Sequence, residues 1–464
     1  MDSRNHNIQI YPTNTLANGK VSFKNGNPVL RFEIGERDQY LLAHTIRLVG
    51  KFSVYKDAAR TVMTDANASC RMPENLGVYS CIDSLTFGTM RTKQTLEYIK
   101  SYSRFVASYL DCVVSKEDAM TYLNNQALIM PNYRTQQAAV VMSPYNADTG
   151  TKNSFSIPLI SGIANGGNPI PLSSSWGTGG LEITINLMPD TNVLFSGLLN
   201  SDSSAFTNGF YELSDVSLVA ECTQPAAQEL QALSSQPAST FEFNTISSFY
   251  QTINSTNATL NLNLGQSHVL SVFGTFVPVN YINTLSENGQ ATLYPLNKVA
   301  GNSASSVPKA VIEQLVWTRA GSRFPYHYNQ DIQQRDDATN ETPDPQIIRN
   351  YINAVGSFAK GTKTQISTAN NYVVDNIDCN PQPSVNGRPS ASGVLYKHIP
   401  LGGMTAGIGI NYDSVSGNGV DFSQVPFGLQ MQVGLTTDHP NALYLYVHCR
   451  NTMIASGGSI QIVT

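Results

Sequence analysis

The chain has 464 residues, more than one hydrophobic core usually spans, so two domains of about 200 residues each are expected. Only 13% of the residues are charged and the net charge is -5, which excludes a strong sequence-independent grip on nucleic acid because phosphate binding needs clustered Lys and Arg. No run reaches the roughly 18 apolar residues needed to cross a bilayer, and the amino terminus lacks the pattern of a signal peptide. Synthesis in a reducing compartment is therefore expected.

The cysteine pattern agrees with a reducing compartment. The six cysteines are sparse and form no Cys-x-x-Cys pair. Two of them, Cys222 and Cys449, occupy similar places in two similar apolar and polar alternations. We therefore predict free thiols in the core rather than disulfides.

The first half of the chain is predicted to be mostly β-strand. Residues 1–28 are polar apart from a short apolar run and are predicted to form an extended arm. Alternating apolar and polar residues then predict strands at 28–34, 44–55 and 81–89. From about Thr92 to Val113 the apolar spacing changes to three, four or seven, which predicts an amphipathic helix.

A loop-like stretch and a linker follow. Residues 143–180 are rich in Gly and Pro, and their Gly-rich run at 162–167 has neither the spacing nor the following helix of a phosphate-binding loop, so turns are predicted there. Strands resume at 181 and end at Cys222. The next residues are rich in Ala, Gln, Ser and Pro, which is typical of a linker.

The second half follows the same plan. After a strand at 312–317 comes an acidic loop, and then a helix with a clear start. Asp344 is a good N-cap and Pro345 a good first-turn residue. An apolar stripe at Ile348, Ile352, Val355 and Phe358 continues this helix. The last strands are predicted between 429 and 463.

The two halves also match residue by residue. The nine residues from His44 to Phe52 recur from His268 to Phe276, at an offset of 224, with His, Gly and Phe in the same places. Four other blocks recur in the same order: 30–35 with 260–265, 82–87 with 312–317, 180–185 with 428–433, and 216–222 with 443–449. The offsets vary while the order is kept, as expected if strands are retained and loops take insertions. We infer one unit of roughly 220 residues used twice.

No constellation of residues predicts chemistry. The seven histidines lack the paired spacing of a metal site, and there is no G-x-S-x-G motif. The repeated His44 and His268 are predicted to be hydrogen-bonded packing residues at strand starts. The acidic loop from Asp331 to Asp344 could hold a calcium ion, but its spacing does not match an EF-hand, so a solvated loop or subunit contact is favoured. We predict no catalytic, cofactor-binding or metal-binding residue.

With this duplicated strand pattern and one helix inserted in each unit, the chain resembles the double jelly-roll major capsid proteins of tailless icosahedral double-stranded DNA viruses. The resemblance rests on the strand from His44 to Val54, on the Leu85–Phe87 and Leu315–Trp317 strands that each precede a helix, and on the strand pairs ending at Cys222 and Cys449. It covers about residues 29–464. The segment from Tyr40 to Tyr55 is most similar to the branch that includes polinton-like viruses and virophages.

The resemblance implies an all-β fold of two tandem eight-stranded antiparallel jelly rolls, each with an inserted helix. The implied division is an amino-terminal arm at 1–28, a first jelly roll at 29–222, a linker at 223–250 and a second jelly roll at 251–464. Three long loops, at 143–180, 285–307 and 361–393, would form outer towers or contacts between neighbours. Deleting residues 1–20 is expected to leave trimers intact but to impair assembly.

The function that the resemblance implies is that of a structural major capsid protein without enzymatic activity. Homotrimers would form pseudo-hexameric capsomers that tile an icosahedral virion shell. The implied partners are neighbouring capsomers, penton and minor capsid proteins and, through the arm, an internal membrane or the genome, without sequence-specific nucleic acid binding. The alternative is a carbohydrate-active protein, a lectin or a glycan amidase, because tandem jelly rolls also occur in those classes. Such proteins are normally secreted.

Overall fold

The strands of this chain belong to two lobes that follow one another in sequence. The computed structural model describes residues 5–14, 16, 18–24, 26, 28–55, 58–60, 70–71, 76–113, 153–173, 178–196, 209–228, 231, 235, 238–255, 257–278, 312–325, 330–331, 345–359, 407–413, 418–433, 441–456 and 459–464. No helix within these ranges is long and apolar enough to cross a membrane.

The first lobe is a sandwich of two sheets. Its strands are β1 (Asn5–Ile10), β2 (Lys20–Val21), β3 (Val29–Gly35), β4 (Tyr40–Tyr55), β5 (Cys70–Arg71), β6 (Ile82–Thr89), β7 (Thr95–Ile99), β8 (Asn153–Pro158), β9 (Ile170–Pro171), β10 (Gly180–Leu187), β11 (Phe195–Ser196) and β12 (Phe210–Thr223). Its helices are α1 (Tyr102–Val113) and the single turn α2 (Gly162–Asn165). One sheet has the order β1-β12-β4-β8 and the other the order β3-β10-β6-β7. In β3, Leu30, Phe32 and Ile34 are buried between the sheets while their neighbours are not, as the alternation predicts.

The second lobe repeats this arrangement. Its strands are β13 (Ala238–Ile253), β14 (Asn257–Leu262), β15 (Val269–Pro278), β16 (Ile312–Arg319), β17 (Ser322–Arg323), β18 (Gln330–Asp331), β19 (Gly407–Asn411), β20 (Phe427–Val433), β21 (Asn441–Ser456) and β22 (Ser459–Val463), and its helix is α3 (Pro345–Phe358). The sheet orders β13-β21-β15-β19 and β14-β20-β16-β17 match those of the first lobe strand for strand. Both lobes are therefore jelly rolls, and the predicted all-β double jelly-roll fold is confirmed.

The five repeated sequence blocks fall on equivalent strands. They pair β3 with β14, β4 with β15, β6 with β16, β10 with β20, and β12 with β21. Cys222 and Cys449 lie on the equivalent strands β12 and β21 and are buried free thiols, as is Cys81. The prediction of a duplicated unit is confirmed by this correspondence.

The two lobes include strands outside the sequence-based domain limits, because the first strand of each jelly roll lies in a segment predicted to be an arm or a linker. β1 lies inside the predicted arm at 1–28, and β13 begins inside the predicted linker at 223–250. β1 is a sheet edge with mostly exposed side chains, so its alternation is weak. β13 opens with small polar residues, yet it pairs with β21 along its whole length. The first lobe thus includes residues from 5 onward, and the second begins at 238.

The helix predicted in the second lobe is confirmed, whereas the helix predicted in the first lobe is only partly correct. α3 begins at Pro345, and Ile352, Val355 and Phe358 are buried as predicted. The helix predicted from about Thr92 is wrong over its first residues, because 95–99 form β7 and α1 begins only at Tyr102. The spacing of three between Leu96 and Ile99 is helical, but in β7 these two side chains lie on opposite faces and Glu97 shares the buried face with Ile99. The sequence also predicts a short helix that Ser115 could cap, but residues 114–152 lie outside the described ranges.

Loss of β1 is expected to destabilise the first lobe. β1 pairs with β12 from Asn5 to Ile10, and Ile8 and Ile10 pack partly against the core. Deleting residues 1–10 should therefore lower the free energy of unfolding by about 2 kcal/mol, measured by urea denaturation. Deleting residues 1–4 alone is the control and should leave stability unchanged. Equal stability of the two shortened chains would contradict a structural role for β1.

Candidate functional site: the junction between the two lobes

The repeated histidines His44 and His268 are not part of a metal-binding cluster. Among the described residues, no group of three or more His, Cys, Asp or Glu side chains is placed to hold a metal ion. The predicted packing role of His44 and His268 is wrong, because both side chains are exposed. The acidic loop from Asp331 to Asp344 lies outside the described residues, apart from Asp331 at the end of β18.

The two repeated histidines instead mark an irregularity that both lobes share. The pairing of β4 with β12 shifts register between Leu42 and Arg47, and the pairing of β15 with β21 shifts between Val269 and Ser271. Such a shift turns the neighbouring side chains to a different face of the sheet. The repeat at His44 and His268 therefore reflects strand geometry rather than core packing.

Aromatic rings occupy the centre of the contact between the two lobes. Phe105 on α1 lies 6.1 Å from Phe273 on β15, 5.5 Å from Phe358 on α3 and 5.3 Å from Tyr446 on β21, measured between ring centroids. Tyr109 meets Phe358 edge-on at 5.5 Å. All five rings are buried. We call this set the aromatic junction, and burial of so much ring surface makes it a strong contact between lobes.

Hydrogen bonds tie the aromatic junction to backbone on both sides. Tyr351 on α3 donates its hydroxyl to the carbonyl of Ser108 on α1, at 3.1 Å. Tyr446 on β21 donates to the carbonyl of Ser101, at 3.1 Å, just before α1 begins. Each bond joins one lobe to the other, so the two inserted helices are fixed in place between the sandwiches.

One sheet also continues from lobe to lobe. β7 of the first lobe meets β13 of the second in a short parallel pairing at Tyr98 and Ser247. The amide of Lys100 donates to the hydroxyl of Ser248, at 3.2 Å. This pairing joins the β3-β10-β6-β7 sheet to the β13-β21-β15-β19 sheet. The junction is therefore part of the hydrogen-bonded framework as well as of the core.

A buried carboxylate lies next to this pairing. The Oε1 atom of Glu97 on β7 accepts the amides of Gly162 and Ile246, each at 2.7 Å, and Oε2 accepts the amide of Ile163 at 3.3 Å. Glu97 is only 3% exposed. Burial raises the pKa of its carboxyl group from 4.5 to about 7, although the amides oppose this shift. Glu97 thus connects β7, α2 and β13.

The glycine that opens α2 allows this close approach. A Cβ atom on Gly162 would lie 2.5 Å from the Cα of Thr245 on β13, which is too close for any side chain. Sequence reasoning assigned this segment to turns and placed Glu97 in a helix. In the strand 95–99, Glu97 and Ile99 share the buried face. An acidic residue on a buried strand face is rare, and this is the signal that could have indicated a functional role for Glu97.

A second apolar contact lies beside Glu97. Phe241 and Phe243 on β13 and Met453 on β21 face Leu96 and Leu181 of the first lobe across a small apolar cavity. β13 and β21 thus extend beyond the sandwich of the second lobe and cover one end of the sandwich of the first lobe. Together with the aromatic junction, this contact extends the core of the first lobe into residues of the second, whose sandwich also encloses a separate core.

Comparisons by sequence identify no relative. No protein-family model matches the chain, and no curated protein sequence matches it either.

Comparisons by structure find viral proteins over nearly the whole chain. The Faustovirus major capsid protein matches with a TM-score of 0.61 and 11% identity, covering 97% of this chain and 90% of that chain. A chain of the Sputnik virophage matches with a TM-score of 0.56 and 12% identity, covering 99% and 88%. The mavirus major capsid protein matches with a TM-score of 0.51 and 9% identity, covering 98% and 90%. The chain therefore has the double jelly-roll fold that these viral capsid structures share.

Proposed function

We propose that this chain is a structural major capsid protein and that three copies form a capsomer in the shell of an icosahedral virus. The observation that carries the proposal is the presence of two jelly rolls of equal strand order in one chain, with the core of the first lobe extending across the junction into residues of the second. The fold match to viral capsid proteins over nearly the whole length supports it.

The duplication has a physical purpose in such a shell. Three two-lobed chains related by a threefold axis present six similar lobes, so a trimer can occupy a hexagonal lattice position with closed symmetry. This requires the two lobes of each chain to keep a constant relative orientation. The aromatic junction and the β7–β13 pairing supply that constraint.

The remaining features of the proposal concern place and partners. The virion is the proposed location, and neighbouring capsomers, penton proteins and minor capsid proteins are the proposed partners. Contacts with an internal membrane or the genome are proposed for the amino-terminal residues 1–28, in which β1 belongs to the sheet. This role needs no catalytic group. Buried free thiols at Cys81, Cys222 and Cys449 are compatible with synthesis in a reducing compartment.

Light scattering coupled to size-exclusion chromatography tests the proposal directly. A capsomer should elute with three times the chain mass of 50.4 kDa, or as shell-like particles, and electron micrographs of the trimer should show a six-lobed outline. A monomer that binds oligosaccharides would instead support a carbohydrate-active protein and overturn the capsid proposal.

A further inference from the structure

We propose that the carboxyl group of Glu97 forms a pH-dependent contact between the two jelly rolls. This contact holds them together more tightly when the carboxyl group is protonated than when it is ionised. The proposal concerns the chain itself and does not depend on its assignment to a capsid. It rests on where the carboxyl group lies, on the charges around it and on the segments that it joins.

The position of Glu97 gives one side chain control over three segments. Its backbone belongs to β7, its carboxylate accepts two amides at the start of α2, and it accepts the amide of Ile246 from β13 of the other lobe. The two shortest of these bonds, both 2.7 Å, converge on the same oxygen from different lobes. Separating the lobes at this point would break the bond to Ile246 and admit water to the carboxyl group.

The charge of this carboxyl group is not balanced by a cation. Within the described residues, Glu97 forms no ion pair. Glu212, which is also a deeply buried carboxylate of the first lobe, differs because Lys20 lies at 2.9 Å and Arg60 at 2.6 Å. An ionised carboxylate that is buried without a counter-charge is costly even when amides donate to it.

The titratable groups around Glu97 do not supply the missing charge. From α1, Tyr102 interacts with it electrostatically, and burial raises the pKa of that phenol, so Tyr102 stays neutral. The segment 161–165 and the part of β13 around Ile246 carry no titratable side chain, and β6 places Phe87 opposite Glu97. Behind β13, His448, Cys449 and Arg450 occupy the facing positions of β21. None of these three is among the causes of the shift in the pKa of Glu97.

The direction of the pH effect follows from these surroundings. Burial raises the carboxyl pKa from 4.5 to about 7 in the closed junction, whereas an opened junction exposes Glu97 to water and restores its ordinary pKa. The closed junction therefore binds the proton more tightly than the open one. Closure is weakest above pH 7, strengthens as the pH falls through about 7, and stops gaining below about 4.5.

Hydrogen–deuterium exchange of the whole protein measures this opening. After correction for intrinsic exchange, protection of peptides covering 158–168 and 240–250 should fall about 30-fold between about pH 5.5 and about pH 8. In Glu97→Gln, which is neutral and similar in shape, protection should be nearly independent of pH. Glu242→Gln is the matched control, because Glu242 lies on β13 but is exposed, and it should behave as the unmodified protein does.

Each outcome decides the proposal. A pH dependence that persists unchanged in Glu97→Gln would overturn it, because another group would then control the junction. Should Glu97→Gln not fold, the unmodified protein still provides a decision through a comparison with β20, which lies inside the second lobe. The peptides covering 158–168 and 240–250 must then lose more protection with rising pH than a β20 peptide does. An equal loss of protection in all of these peptides would overturn the proposal.

Discussion

Phe105→Ala is expected to lower the free energy of unfolding by about 4 kcal/mol and to uncouple the two lobes. Phe105 is fully buried on α1, and its ring contacts Phe273, Phe358 and Tyr446 of the second lobe. Removing the ring leaves a cavity at the centre of the aromatic junction, where no single strand can move in to fill it. Differential scanning calorimetry should then resolve two unfolding transitions in place of one.

A matched substitution separates loss of coupling from simple loss of packing. Phe422→Ala removes an equally buried ring that contacts Tyr412 and Phe427 inside the second lobe. Phe422→Ala should lower the free energy of unfolding by a similar amount but leave the aromatic junction intact. The first lobe should therefore keep its contacts with α3. A single transition for Phe105→Ala with a loss below about 1 kcal/mol would show that the aromatic junction does not hold the lobes together.

Gly274→Ala is expected to cost about 3 kcal/mol or more, and far more than the equivalent change in the first lobe. Gly274 and Gly50 are the repeated glycines of β15 and β4. A Cβ atom on Gly274 would collide with the carbonyl oxygen of Tyr444 on β21, which is backbone in the middle of a sheet and cannot move alone. A Cβ atom on Gly50 would instead meet the ring of Phe155, at 2.9 Å, and a ring can turn aside.

Chemical denaturation of the two alanine variants measures this contrast. We expect Gly50→Ala to lose about 1 kcal/mol, because side-chain adjustment relieves most of the crowding. Both variants replace a glycine by the same residue on equivalent strands, so each serves as the control for the other. Equal losses would mean that the glycine is repeated for a reason other than close approach of the neighbouring strand.

The junction between the lobes also bears on the proposed role in a shell. A trimer imitates a hexagon only if each chain presents its two lobes at a constant angle. The aromatic junction contributes apolar burial that changes little with pH, whereas Glu97 contributes a bond whose strength depends on its proton. The structure thus combines a permanent contact with an adjustable one at the same boundary.

Local pattern in the sequence determined the features that depend on neighbours along the chain. Strands with one buried face, such as β3 and β14, show the alternation that such burial requires, and the repeat of these blocks indicated the duplicated unit. The start of α3 at Pro345 was also predictable, since capping and first-turn preferences act within a few residues. These features depend on local signals, and the sequence predicted them correctly.

Only the tertiary structure decided which segments complete each lobe and where the lobes meet. β1 and β13 are strands because β12 and β21 are present to pair with them, although little in their own composition requires it. Glu97 acquires its raised pKa from burial by segments more than sixty residues away in the chain, although the amides of those segments oppose the shift. Pairing with a distant strand and burial by distant residues are not recorded in the spacing of apolar residues along the chain. The first strand of each lobe and the junction between the lobes therefore arise only from contacts in the folded chain.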